Sequence, residues 1–136
     1  MSESRVIIAE DHAITGWGIA FLLSGVPGVV VIDNVTDGSN LSSVVSNSSF
    51  DLLILDIGLP GQSGLEFLKT HQEREFAVII FSGQHAASDF QQAYDLGAEG
   101  LVSKGDPPEE LISAITAVTS GSRYLSPQVS GLIVVT

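Results

Sequence analysis

Five short apolar runs alternate with helical segments along this chain, and this alternation constrains its fold more than any other feature. The runs are RVIIA, VVVID, DLLIL, FAVIIF and EGLVS, which begin at residues 5, 29, 51, 76 and 99. Apolar runs this short, bounded by turn-forming residues, are typical of strands buried on both faces of a parallel sheet. Strands that alternate with helices indicate βαβ units. We therefore predict an α/β fold, a doubly wound parallel sheet with helices on both faces.

The helical segments show the spacing of amphipathic helices that pack on such a sheet. In residues 13–24, one face carries Ile14, Gly18, Phe21 and Leu22, with Trp17 at its edge. In residues 109–119, the apolar positions are 111, 112, 115 and 118. We predict that both apolar faces point toward the sheet.

Composition excludes several classes of function. The 136 residues suffice for one domain, and a net charge of -11 repels the phosphates of nucleic acids. There is no cysteine for disulfides or thiolate metal sites, and no apolar stretch approaches the roughly 18 residues needed to cross a bilayer. The first residues are too polar for a signal peptide. We expect a cytoplasmic protein that binds neither membrane nor, by itself, DNA.

Polar residues follow four of the predicted strands, at the edge where a doubly wound sheet holds its ligand site. They are Glu10, Asp11, Asp56, Ser82 and Lys104. Each has an ordinary explanation as a helix cap, a turn residue or a surface charge. Together they predict one site, and clustered carboxylates can hold a hard cation. The histidines at positions 12, 71 and 85 lack metal-ligand spacing and are interpreted as surface residues.

The ordered set of motifs resembles the receiver domain of two-component response regulators. The motifs are AEDH after the first strand, LDIGLPGQSGLEFL around Asp56, FSG with Ser82, GAEGLVSK ending in Lys104, and GSRYLSP. The resemblance is to the subgroup that usually carries a C-terminal LuxR-type helix-turn-helix. It implies a flavodoxin-like five-stranded sheet in the order 2-1-3-4-5. It also implies a receiver domain over residues 1–122, with residues 123–136 beginning a linker toward an output domain that is absent from this chain.

The resemblance further implies a chemistry for these residues. Asp56 would take a phosphoryl group from the phosphohistidine of a sensor histidine kinase. Mg²⁺ would be held by Glu10, acting through water, by Asp11, by Asp56 and by the backbone carbonyl of Gly58. Lys104 would neutralise one phosphoryl oxygen. Ser82 would donate a hydrogen bond to another and pull its loop inward as the switch.

The same resemblance implies how the domain is used. Its surface change would control an output, most plainly transcription, and any contact with DNA would come only through the absent domain. The chain would catalyse its own phosphorylation and dephosphorylation and would not be an enzyme for a separate substrate. In this subgroup the first and last helices can contribute to a homodimer.

Two positions depart from the family pattern and keep an alternative open. Leu101 stands where many receivers place Tyr or Phe as part of the switch, so the switch would be weak or carried by the loop after Ser82. Gly58 stands where most members carry a side chain, which predicts easier water access and a shorter-lived phosphate, or else a positive φ. The alternative is a pseudo-receiver, an interaction module that works without phosphorylation.

Two other classes fit the residues poorly. A flavodoxin-type FMN carrier would need a phosphate-binding loop after the first strand, where this chain has carboxylates. A phosphatase with an aspartyl nucleophile typically has a second Asp two residues later, where Gly58 stands.

Overall fold

Parallel strands form the centre of the computed structural model, which describes residues 3–83 and 86–135. Within these residues there are six strands, β1 Ser4–Ala9, β2 Val29–Val35, β3 Leu52–Leu55, β4 Ala77–Ser82, β5 Gly100–Ser103 and β6 Tyr124–Leu125. They form one sheet in the order β2-β1-β3-β4-β5-β6 with every neighbouring pair parallel. The predicted fold and the order 2-1-3-4-5 are confirmed, and a sixth strand extends the expected five.

Helices connect the strands and cover both faces of the sheet. They are α1 Ala13–Ser24, α2 Gly38–Ser46, α3 Gly64–Thr70, α4 Ala87–Asp95, α5 Glu109–Thr119 and α6 Pro127–Ser130. None of the helices in the described part of the chain has the length and apolar character needed to span a bilayer.

Strand β3 shows why the sheet needs helices on both sides. All four of its residues are buried. Successive side chains of a strand point to opposite faces. Leu53 and Leu55 accordingly join one apolar cluster, whereas Leu52 and Ile54 join the other. Because β3 lies between β1 and β4, its end is placed at the middle of the sheet edge.

The loop after β3 is fixed by the start of α3. Ser63 accepts a hydrogen bond from the Glu66 backbone N–H at 3.2 Å, and Glu66 accepts one from the Ser63 N–H at 3.4 Å, forming a capping box. The Gly64 N–H donates to the Ile57 carbonyl at 2.9 Å. A Cβ at Gly64 would lie 2.6 Å from the Asp56 carbonyl oxygen, so only glycine allows this close approach.

The prediction for the first helix is wrong about which face is buried. The buried residues of α1 are Gly16, Ile19 and Leu23. The side chains of Ile14, Trp17 and Phe21 are instead 81%, 69% and 82% exposed. Nearly every side of α1 is apolar or small, so apolar spacing alone does not select the face that packs on the sheet. On the buried face, the helix lies close to β2 at Gly16, where a Cβ would lie 2.3 Å from Nδ2 of Asn34.

The C-terminal residues take part in the fold beyond the boundary predicted at residue 122. Strand β6 pairs with β5, and α6 follows it directly. Val129 of α6 is fully buried in the same apolar cluster as Phe90 and Leu101, and Leu125 packs against that cluster. Residues 124–130 therefore belong to the sheet and its helical layer. That the chain leads on toward an output domain stays a prediction.

Candidate functional site

The residues predicted to form a site lie together at the carboxyl edge of the sheet. Asp56 directly follows β3, Glu10 and Asp11 follow β1, Ser82 ends β4, and Lys104 follows β5. Asp56, Glu10 and Ser82 are buried, and the side chain of Lys104 is largely so. The parallel arrangement brings these positions to one place, although they are up to 94 residues apart in the sequence.

Asp56 is held by donors on both of its carboxylate oxygens. The Ser82 hydroxyl donates to Oδ1 at 2.6 Å, the Gly58 N–H donates to the same oxygen at 3.1 Å, and Lys104 Nζ lies 3.1 Å from Oδ2. Burial raises the pKa of Asp56, but the hydrogen bonds from Ser82 and Gly58 and the charge of Lys104 outweigh it. The pKa of Asp56 therefore lies below its usual value. Asp56 is an ionised carboxylate at neutral pH, which is the form that can act as a nucleophile.

Lys104 bridges two of the acidic residues. Its Nζ donates to Glu10 Oε1 at 2.5 Å as well as to Asp56 Oδ2. Burial lowers the pKa of Lys104, but the hydrogen bond to Glu10 and the charge of Asp56 raise it more. The net result is a pKa above the usual value for lysine. The ammonium group is thus kept charged beside the carboxylate of Asp56.

The acidic side chains form a group that fits a hard divalent cation. Glu10, Asp11, His12 and Asp56 each offer one ligand atom, and these atoms lie within 4.8 Å of one another. Asp11 Oδ1 is buried and makes no hydrogen bond, its neighbour His12 Nδ1 being 3.4 Å away, so this carboxylate oxygen has the capacity to bind a cation. Three carboxylates face one ammonium group, which leaves an excess of negative charge that a divalent ion would balance.

The two oxygens of Glu10 already have partners in this cluster. Oε1 accepts from Lys104, and Oε2 accepts from the backbone N–H of His12 at 3.0 Å. Because both oxygens already accept hydrogen bonds, Glu10 is better placed to contact a metal ion through a water molecule than to bind it directly.

His12 is the residue of this cluster that sequence reasoning missed. Its side chain is exposed, as the surface interpretation expected, but its Nδ1 lies 3.0 Å from Glu10 Oε2 and 3.4 Å from Asp11 Oδ1. Its position two residues after Glu10, at the start of α1, was the available signal. His71 stacks on Phe67 with ring centroids 3.9 Å apart. His85 lies outside the described residues.

The two departures from the family pattern have different outcomes. Leu101 is fully buried on β5 in the cluster that contains Phe90, so the position holds an aliphatic core residue. Its effect on a switch stays a prediction. Positive φ angles occur at Gly28, Gly61, Gly97 and Gly121, and Gly58 is not among them. The proposal that Gly58 serves a positive φ is therefore wrong, which leaves the open mouth of the site as the interpretation.

Comparison with known proteins gives a family match over most of the chain. The response regulator receiver domain family matches residues 6–116. The nitrate/nitrite response regulator protein NarP of Escherichia coli (strain K12) is 31% identical over 128 residues, which cover 93% of this chain and 60% of NarP. The transcriptional regulatory protein UhpA of Salmonella typhimurium (strain LT2) is 32% identical over 125 residues, covering 92% of this chain and 63% of UhpA. The chain thus spans about three fifths of the length of these relatives.

Solved structures agree with the sequence relatives. The isolated REC domain of RcsB from Salmonella enterica serovar Typhimurium, in the presence of the phosphomimetic BeF3-, superposes with a TM-score of 0.91 at 26% identity. That match covers 98% of this chain and 100% of the RcsB domain. A LuxR-family two-component response regulator from Aurantimonas sp. SI85-9A1 gives a TM-score of 0.89 at 27% identity, covering 96% and 94% of the two chains. None of these matches supports the pseudo-receiver alternative.

Proposed function

Because this chain belongs to the response regulator receiver domain family, we propose that Asp56 accepts a phosphoryl group. The resulting change in the surface of the domain controls an output, which we propose is transcription. The observation that carries this proposal is the setting of one carboxylate. Asp56 is buried and ionised between the hydroxyl of Ser82 and the ammonium group of Lys104. A nucleophile held between two such groups suits phosphoryl transfer, which depends on positioning and charge compensation.

The transfer step uses these three residues in distinct ways. A carboxylate oxygen of Asp56 forms a new bond to phosphorus while the P–N bond to a histidine of a sensor kinase breaks, and the leaving nitrogen keeps the electron pair and takes up a proton. Lys104 leaves its contact with Glu10 and neutralises a phosphoryl oxygen. The Ser82 hydroxyl turns from Asp56 Oδ1 to donate to another phosphoryl oxygen.

A magnesium ion fits the acidic residues of the site. Glu10 through water, Asp11 and Asp56 directly, and the carbonyl of Gly58 would hold it. When bound, Mg²⁺ would supply positive charge to the transferred phosphoryl oxygens. Asp11 Oδ1, buried without a hydrogen bond, supports this assignment. The ligand atoms of Glu10, Asp11 and Asp56 lie within 4.8 Å of one another, and oxygens this close together can bind the same ion.

The domain turns over no separate substrate in this proposal. Water ends the phosphorylated state by cleaving the acyl phosphate of Asp56. With no side chain at Gly58, the mouth of the site stays open, and the phosphorylated state is short-lived. The phosphoryl donor is a sensor histidine kinase, and the domain meets it in the cytoplasm. Contact with DNA requires a domain outside this chain, because its net charge of -11 repels phosphates.

Intact-mass spectrometry after incubation with acetyl phosphate and Mg²⁺ tests the proposal. The parent chain gains the mass of one phosphoryl group, and the gain disappears when EDTA removes the metal. Asp56→Asn removes the gain. Asp33→Asn, at an exposed position on β2, is the matched control and keeps it. A parent chain that is never modified, or an Asp56→Asn variant modified like the parent, contradicts the proposal.

The exposed apolar face of α1 supports a second proposal, that two copies of this chain associate through it. Ile14, Trp17 and Phe21 project from this face. Beside them runs a groove of about 600 Å³ between α1 and the start of α5, lined by Gly18, Leu22, Pro108 and Leu111 among others. A structure of the relative RcsB contains two RcsB dimers. The proposed partner is a second copy of this chain. With a net charge of -11, two copies repel each other over most of their surface, but α1 carries no charged residue and offers an uncharged apolar face for contact.

Sedimentation velocity over a range of concentrations tests this association. Phe21→Gln is expected to raise the dissociation constant at least tenfold, because burying a phenylalanine side chain contributes about 1.5–3 kcal/mol. The control is Val134→Gln, which changes an exposed apolar residue away from α1. A parent that stays monomeric at every concentration, or equal effects of the two variants, contradicts the proposal.

A further inference from the structure

The C-terminal segment, residues 126–134, connects the elements that follow Ser82 and Lys104. Ser82 ends β4 and leads into α4, whereas Lys104 stands in the turn between β5 and α5. The segment contacts both. These two side chains are the ones proposed to bind phosphoryl oxygens, so a change at either reaches the same stretch of chain.

Two hydrogen bonds tie the turn around Lys104 to Gln128 of this segment, and a third, within the turn, supports them. The Ser103 hydroxyl donates to Gln128 Oε1 at 3.0 Å, and the Gly105 N–H donates to the Ser103 hydroxyl at 3.0 Å. The Gln128 N–H donates to Asp106 Oδ2 at 3.0 Å. Residues on both sides of Lys104 are thus fixed to one side chain and its backbone.

The contact is tightly packed. A Cβ at Gly105 would lie 2.6 Å from Gln128 Oε1, which shows how closely the turn and the Gln128 side chain approach. Next to it, the Ser103 N–H donates to the hydroxyl of Ser126 at 3.0 Å, and both serines are buried. A displacement of Ser103 would therefore change the contacts of the turn with both Gln128 and Ser126.

The other end of the segment is fixed to α4. Gln91 donates to the Val134 carbonyl at 3.0 Å and accepts from the Val134 N–H at 2.7 Å. Val129 is fully buried in the cluster that includes Phe90 of α4. The Lys104 N–H also donates to the Ser82 carbonyl at 2.8 Å, which joins the end of β4 to the turn after β5.

We propose that Gln128 is a positioning residue that couples the phosphorylation site to the C-terminal segment. This inference rests on the proposed phosphorylation of Asp56. In the unphosphorylated structure Gln128 is hydrogen-bonded to both Ser103 and Asp106. When Lys104 leaves Glu10 for a phosphoryl oxygen, the turn moves, the contacts of Ser103 and Asp106 with Gln128 weaken, and α6 loosens. Such coupling is reciprocal, so a change at Gln128 also changes the free energy of phosphorylation at Asp56.

Hydrogen–deuterium exchange of the intact chain, measured with and without acetyl phosphate in the presence of Mg²⁺, tests the coupling. In the parent, phosphorylation speeds exchange of the amides of residues 128–131 by at least about fivefold, the lower end of typical coupling. In Gln128→Ala, exchange is already fast, and phosphorylation adds less than about twofold. Gln128→Glu keeps an acceptor oxygen and restores the response. Gln72→Ala, an exposed glutamine after α3, behaves as the parent.

The outcomes separate this inference from the proposed function. If the parent gains no phosphoryl mass, the proposed function fails and the coupling fails with it. If the parent is phosphorylated but exchange of residues 128–131 is unchanged, only the coupling is overturned. The same holds if Gln128→Ala keeps the full response. Far-UV circular dichroism checks that Gln128→Ala is folded, and Ser103→Ala, which removes the other partner of the same hydrogen bond, gives a second variant with the same expected loss.

Discussion

Val129→Ala tests whether α6 is a structural part of the domain. Val129 belongs to α6, and its side chain is fully buried in the apolar cluster that contains Phe90 and Leu101. Removal of two buried methyl groups loses about 1.6 kcal/mol of transfer free energy. The cavity left behind raises the expected loss in the free energy of unfolding to about 2 kcal/mol. A linker that merely rested on the surface would lose far less.

Urea unfolding followed by far-UV circular dichroism measures this loss. With a urea dependence of about 2 kcal/mol per molar, the midpoint of Val129→Ala falls by about 1 M while the slope is unchanged. Val134→Ala is the matched control, because its side chain is 69% exposed and the backbone contacts with Gln91 remain. Its expected effect is within about 0.5 kcal/mol. Equal, small losses in the two variants would refute the assignment of α6 to the folded domain.

Two further predictions concern an alkaline transition and a pair of glycines. The hydrogen bond between Tyr124 and Glu110 raises the pKa of the Tyr124 hydroxyl in the folded protein above its ordinary value of 10.0. The hydrogen bond therefore stabilises the fold fully below pH 10.0, and this contribution is lost as the pH rises through the pKa of the folded protein. Glu110→Gln should reduce this alkaline loss in urea midpoints, and an unchanged loss would contradict the assignment. Gly64→Ala should destabilise by about 1–3 kcal/mol because its Cβ meets the Asp56 carbonyl, whereas Gly18→Ala, with open space around it, should stabilise by up to about 1 kcal/mol. Urea midpoints that fall equally would contradict this contrast.

The strands could be predicted because burial on both faces leaves a direct trace in the sequence. Residues 52–55 are all large and apolar, and in a chain where such short runs alternate with helical segments this pattern predicts a buried strand of a parallel sheet. Strand β6 could not be found in the same way. It has only two residues, both half-buried, and its place is set by the free edge of β5. The information lies in a partner that is distant in the sequence.

The placement of the polar residues followed from topology, whereas the buried face of α1 did not. Parallel strands end at one edge of the sheet, so the positions of Asp56 and Lys104 after their strands predict that the two residues are neighbours. Apolar spacing in α1 indicates a face but does not say whether the protein's own sheet covers it. Phe21 and Ile19 are both apolar, but only Ile19 packs in the core, on the face where Gly16 approaches Asn34 of β2. Hydrogen bonds such as that of Gln128 with Ser103 depend on side-chain geometry that sequence spacing does not encode.

The short strand β6 also bears on solubility. Strand β5 is wholly buried, and β6 covers its outer edge with Tyr124 and Leu125. A chain cut after Ser122 would present the main-chain donors and acceptors of β5 to neighbouring molecules. Unpaired apolar edges of this kind promote intermolecular strand addition. Two residues thus protect the sheet against aggregation, and shortened versions of this domain that keep residue 125 should stay dispersed at concentrations where those ending at residue 122 precipitate.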